Sequence, residues 1–241
     1  MNPKSNDIKL SGVVFFAGLA ILLVAVLVEL PFGFTPSGIG QDIIAESPGR
    51  TGAANTVTSV VLGYRGLDTL GELIILFTAA TAAGMVLGKA RRESYQEQQQ
   101  SQQSEAGFIL RTAADVIYPF LMLLGAYIIV HGHLSPGGGF QGGAILAVAF
   151  FLPLLARPAT PFAETVFSAV ETLAGSVFIV IGLFALLSTG HFLEPLLGTG
   201  TPGELFSAGT LPLLYLAVGL KVGTELAGML ARLMQTEGSS G

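Results

Sequence analysis

Cysteine is absent from this 241-residue chain, which excludes disulfide frameworks, thiolate-held zinc, iron–sulfur ligation and a cysteine nucleophile. Tryptophan is absent as well, and charge is scarce: 11% of the residues carry it. A soluble domain of this size carries charge on about a quarter of its residues. A surface so poor in charge must face something other than water, and lipid is the solvent that fits. The charge that remains sums to −5, which argues against nucleic acid as a partner. What the chain has in abundance is apolar bulk, 51% of its residues, together with 32 glycines. Small residues in that number suit helices packed closely within a bilayer.

Runs of about 17–25 apolar residues are needed to cross the hydrocarbon core. Val13–Val28, Leu70–Leu87 and Val116–Val130 stand out, followed by Ala144–Leu155, Leu173–Leu187 and Leu211–Leu230. Ala144–Leu155 is short and must borrow length from the glycine-rich segment before it, and the last run is interrupted by Lys221 and Glu225. The runs are continuous rather than alternating, so barrel strands are excluded. The expected fold is all-α, a polytopic membrane protein with six transmembrane helices. The first run is expected to be retained, since Glu29-Leu30-Pro31-Phe32 offers no small-x-small cleavage site.

The basic residues predict an orientation. With the N-terminus inside, Lys4, Lys9, Lys89, Arg91, Arg92, Arg111, Arg157 and Arg232 are cytoplasmic and only Arg50 and Arg65 lie outside, eight against two. Both termini are then cytoplasmic, and the 131–143 and 189–210 loops face outward. Between the second and third runs, Arg91 to Glu105 has almost nothing apolar to bury and reads as a solvated linker. The chain divides into a two-helix module at 1–90, a Gln-rich cytoplasmic linker at 91–107 and a four-helix module at 108–241.

A charge in a lipid core requires a partner, a wet cavity or a job. Asp68 and Glu72 are four residues apart, so they share a helix face, with Glu72 about one turn inside the outer boundary. Two carboxylates on one face raise each other's affinity for a proton or a cation, as an ion path requires. The alternative is that Arg65 or Arg50 neutralises them at the interface. Lys221 and Glu225 are also four apart, with Lys221 about 15 Å into its helix and too deep to reach water easily. They form either part of an ion path or a structural ion pair. Glu171 and Glu29 are expected to mark membrane boundaries, and Asp115 to cap the third spanning helix.

The remaining feature is His131-Gly132-His133-Leu134-Ser135-Pro136-Gly137-Gly138-Gly139-Phe140-Gln141-Gly142-Gly143. It lacks the lysine and hydroxyl of a phosphate cradle, and two histidines alone leave a metal underliganded. It reads as a re-entrant or interfacial turn whose glycines (Gly137, Gly138 and Gly139, after Pro136) permit tight backbone, with His131 and His133 available to titrate near neutral pH.

This segment, the apolar helix behind it and Val218-Gly219-Leu220-Lys221-Val222-Gly223 closely resemble the MnhB/MrpB family, small four-helix subunits of Mrp-type multi-subunit sodium/proton antiporters. The resemblance covers about residues 108–232. The front module, through Asn55-Thr56-Val57-Thr58 and Tyr64 to Glu72, is similar to the C-terminal helices of the large MrpA subunit. Related short subunits occur in membrane-bound hydrogenase complexes. The resemblance implies a non-catalytic subunit that helps to form an ion path in a prokaryotic plasma membrane. Glu72 would stand where the family carries an acidic residue of that path, and Lys221 where it carries the lysine of the final helix. It implies no cofactor, with MrpA- and MrpD-like and small antiporter subunits, Na+, H+ and lipid as partners. The alternative is a membrane-arm subunit of a redox-driven ion pump.

Overall fold

The computed structural model describes residues 3–29, 38–94, 107–157 and 163–237. Among them the regular elements are all helical: α1 (Pro3–Glu29), α2 (Gly38–Thr51), α3 (Thr56–Thr58) running into a π-helical segment (Ser59–Tyr64), α4 (Gly66–Ser94), α5 (Phe108–Val130), α6 (Gly139–Ala156), α7 (Glu164–Thr189) and α8 (Leu211–Glu237). Six are long and apolar enough to cross a membrane, over Gly12–Glu29, Gly66–Leu87, Phe108–Val130, Gly139–Ala156, Glu164–Thr189 and Leu211–Met234. These contain the six runs read from the sequence. Most of the linker expected at 91–107 lies outside the described residues.

The helices extend beyond the apolar runs, and three expectations change as a result. α6 starts at Gly139, so Gly139–Gly143 is its first turn rather than loop. This supplies the borrowed length, and the turn proper is confined to 131–138. α5 starts at Phe108, so Asp115 lies two turns inside it and does not cap it; its Oδ2 instead accepts a 2.6 Å bond from Arg157 Nη2. α7 starts at Glu164, which puts Glu171 two turns inside the helix rather than at its boundary. A helix can begin on exposed polar residues before its apolar face enters the bilayer, so hydropathy alone places these starts too late.

Two compact units divide the chain, Met1–Gln41 and Asp42–Gly241. The first is built on α1. In the second, α8 is the central helix. α6 runs parallel to it: Gly139 lies against Tyr215 and Val218, and Gly143 against Gly219 and Val222. A methyl carbon added at Gly142 would stand 2.8 Å from the Gly125 carbonyl oxygen of α5, and one at Gly143 would stand 2.8 Å from that of Gly219. Those backbones meet only because no side chain stands between them. α4 also runs parallel to α8, while α5 and α7 run the other way. The buried core gathers Leu73, Ile129, Leu146, Phe178, Leu214, Val218 and Val222 along α8.

The 131–138 turn closes one end of this unit. Gly138 holds φ +141°, a conformation suited to glycine. Asn55 Nδ2 donates to the carbonyl oxygens of Gly132 (2.8 Å) and Ser135 (2.9 Å), and Thr58 Oγ1 donates to Gly132 at 2.7 Å. Tyr215 Oη on α8 donates to Thr58 Oγ1 at 2.8 Å. Segment 55–58, the glycine turn and α8 are thus joined by polar bonds, buried at Thr58 and half-buried at Asn55, that leave their backbone groups satisfied. In the π-helical segment Arg65 N–H donates to Val60 O at 2.8 Å, five residues back. The Thr69 hydroxyl takes the Val61 carbonyl at 2.6 Å, so the wide turn strands no acceptor there.

Candidate functional site

Lys221 and Glu225 lie one above the other on α8, as their spacing predicts, and both are buried: their side chains are 11% and 3% exposed. Nζ of Lys221 is 3.2 Å from Glu225 Oε2 and 3.3 Å from Glu171 Oε1 of α7. The ammonium therefore stands between two carboxylates from two helices, with the Phe77 ring of α4 5.0 Å away. Glu171, whose side chain is 23% exposed, is the member that the hydropathy boundary concealed. With all three groups ionised, the cluster carries one net negative charge within a helix core.

Three cavities lie along the seam between α4 and α8. One of about 240 Å³ is lined by Thr69 and Glu72 of α4, Tyr215 and Val218 of α8, Gly137 of the glycine turn and Gln141 of α6. The next, about 310 Å³ and largely apolar, lies between Leu70, Leu73, Phe77 and Phe178, with Glu171 and Lys221 in its wall. The third, about 380 Å³ and much more polar, is lined by Thr81, Ser168, Glu171, Thr224, Glu225 and Arg232, among others. Phe77, Glu171 and Thr172 line both the second and the third, Lys221 only the second and Glu225 only the third. Lining residues advance together along both parallel helices, from 69 to 85 on α4 and from 215 to 232 on α8.

Asp68 and Glu72 sit at the other end of the seam. Asp68 pairs with Arg65 at 2.5 Å, both exposed, and Arg50 pairs with Glu194 instead, at 3.4 Å. Glu72 is exposed at the edge of its cavity. The structure thus brings Glu72 and the glycine turn to one cavity and holds Lys221, Glu225 and Glu171 in a separate cluster. The two histidines differ. His133 is fully buried, with Nε2–H donating to the Leu205 carbonyl at 2.9 Å, and burial pushes its imidazole below the ordinary value of 6.5. His131 stacks on Tyr127, with ring centroids 4.2 Å apart. Pro136 is exposed at the tip of the turn. Among the described residues no group of three His, Asp or Glu side chains is placed to hold a metal ion.

A family model for a domain related to the MnhB subunit of Na+/H+ antiporter matches residues 109–228. The chain belongs to the MnhB family. A chain in the structure of the membrane-bound sulfane sulfur reductase, an archaeal respiratory membrane complex, is 36% identical with a TM-score of 0.79; the likeness covers 93% of this chain and 97% of that one. The front helices and the MnhB-family domain therefore occur together in one chain there too. A K(+)/H(+) antiporter protein of Rhizobium meliloti is 27% identical over 136 residues, which are 48% of this chain and 14% of that protein. A chain of the Mrp complex of a Dietzia species, 24% identical, shares the fold with a TM-score of 0.71 over 97% of this chain and 26% of its own. This chain thus spans a small part of either of those two proteins. With six apolar helices and this ancestry, it is a multi-pass membrane protein of a prokaryote.

Proposed function

We propose that this chain is a non-catalytic membrane subunit of a multi-subunit sodium/proton antiporter, assembled with other Mrp-type subunits in the plasma membrane, and that it forms part of the ion path. Both termini lie on the cytoplasmic side. The observation that carries the reading is the buried Lys221 between Glu171 and Glu225, a cluster that borders one cavity through Lys221 and the next through Glu225, with Glu171 lining both, along a seam that Glu72 also lines. Ionisable groups that deep in a spanning helix are costly, and they are retained where ions pass. Glu72 accepts a proton or a sodium ion at the edge of its cavity, while the lysine cluster sets the field along the seam. Glu72→Gln is expected to abolish sodium-driven proton movement in vesicles while the complex still assembles. Normal exchange by that variant removes Glu72 from the path.

The near full-length likeness to a chain of a respiratory complex favours a second reading, a membrane-arm subunit in which electron transfer drives the same ion movement. The driver then lies in other chains. Purification of the native complex through a tag on this subunit, with mass spectrometry of every co-purifying protein, separates the two. Antiporter subunits alone support the first reading; iron–sulfur or nickel-bearing partners support the second.

A further inference from the structure

The Glu171–Lys221–Glu225 cluster contains one atom that the ion pairs leave unexplained. Glu225 is 4% exposed, and neither of its carboxyl oxygens makes a hydrogen bond. Oε2 faces the Lys221 ammonium at 3.2 Å, whereas Oε1 is buried with neither a hydrogen bond nor an ion pair. A bare carboxylate oxygen in such a place is costly unless something occupies its lone pairs. Glu225 lines the 380 Å³ cavity beside the hydroxyl residues Ser168, Thr172 and Thr224, so a rotation of its side chain is enough to bring the buried Oε1 to a space large enough for several waters.

We infer that Glu225 is a proton-binding site, loaded from the 380 Å³ cavity, and that Lys221 passes from bridging Glu225 and Glu171 to pairing with Glu171 alone when the proton binds. The inference rests on the ion-path reading above and gives that path a proton-carrying residue. A hydronium in the cavity loses a proton to Oε1, forming the carboxyl O–H and leaving water; Lys221 remains an ammonium throughout. Once Glu225 is neutral its hold on Lys221 weakens, and the ammonium pairs with Glu171 alone. Loss of the proton restores the bridge to both carboxylates. A metal cation is a poor occupant because the ammonium already stands 3.2 Å from this carboxylate and repels a second positive charge. Among the described residues, the charged groups facing the two adjoining cavities are Lys221, Glu225 and Arg232 of α8 and Glu164 and Glu171 of α7, and none comes from α4.

The test uses the wild-type complex purified with all its subunits. A hydrophobic carbodiimide reacts only with a protonated carboxyl: the acid O–H adds across the C=N bond, the oxygen joining carbon and the proton passing to nitrogen. Labelling followed by peptide mass spectrometry is expected to place an adduct on Glu225, to fall at least ten-fold as pH is raised, and to be unchanged when choline replaces sodium. An unlabelled Glu225 overturns the proposal, as does protection by sodium at fixed pH. Infrared difference spectra during the same pH steps supply a second readout: the protonated-carboxyl stretch must vanish in Glu225→Gln, return in Glu225→Asp and shift in Glu171→Gln. Persistence of the band in Glu225→Gln overturns the proposal. Labelling at Glu225 in a complex that exchanges no ions supports the proton site and overturns only the transport reading. Active exchange with Glu225 unlabelled does the reverse.

Discussion

Asp68–Glu72 and Lys221–Glu225 have the same spacing in their helices, yet the structure treats them oppositely. The first pair lies on an exposed face, its first member tied to Arg65. The second is enclosed by α4 and α7 and gains a third charge, Glu171, from a neighbouring helix. Spacing of four determines that two residues share a face; which face it is depends on neighbours that one helix cannot announce. The cost of removing a charge should follow the enclosure rather than the spacing.

Lys221→Met should have the largest effect. It strands two carboxylates in a helix core, and breaking a buried pair in this way costs about 3–5 kcal/mol. Thermal unfolding of the purified complex should show the loss. Adding Glu225→Leu to it should recover part of the stability, because the more deeply buried of the two stranded carboxylates is then replaced by an apolar group while Glu171 still lacks its ammonium. A double variant no more stable than the single would show that Lys221 does not pair chiefly with Glu225. Glu72→Gln sharpens the contrast from the other side, since transport should fall at least ten-fold in vesicles with the melting temperature unchanged.

A smaller effect is expected at the glycine turn. Burial depresses the His133 pKa below 6.5, so the folded chain holds the neutral ring more firmly than the unfolded chain does. Its contribution to stability is full above pH 6.5 and declines as pH falls toward the folded value. His133→Asn should flatten the fall in melting temperature on acidification below that pH, whereas His131→Asn, at the stacked residue, should leave it in place. Smallest of all, Asp68→Asn removes an exposed pair with Arg65 and should change stability by less than about 1 kcal/mol. A larger loss would mean that a neighbouring subunit encloses this face.

The all-helical fold and the six spans were legible because continuous apolar runs of bilayer length admit little else. The pairing of Lys221 with Glu225 was legible for a similar reason, one helical turn being a local property. Glu171 was not, because hydropathy dates the start of α7 from Leu173 while its helix begins at Glu164. Asp115 was misplaced by the same error at α5. Nor could the chain announce α2 or the stretch from Asn55 through α3, short segments held by distant partners. Thr58 and Asn55 find theirs more than seventy residues away at Gly132. His133 reads as an available titrating group in the sequence, and only its contact with Leu205 reveals a buried anchor.

The depth of Lys221 and Glu225 has an electrical consequence. α8 is 27 residues long, about 40 Å at 1.5 Å per residue, and Lys221 stands about 15 Å from its start. A proton that reaches Glu225 from the Arg232 end has therefore crossed only part of the membrane voltage. One elementary charge moved through 100 mV is worth about 2.3 kcal/mol, so half that passage biases occupancy by about 1 kcal/mol, several-fold in population. A proton site at Glu225, as proposed above, would register the membrane potential as well as the pH beside it, and an applied voltage at fixed pH would shift its occupancy several-fold.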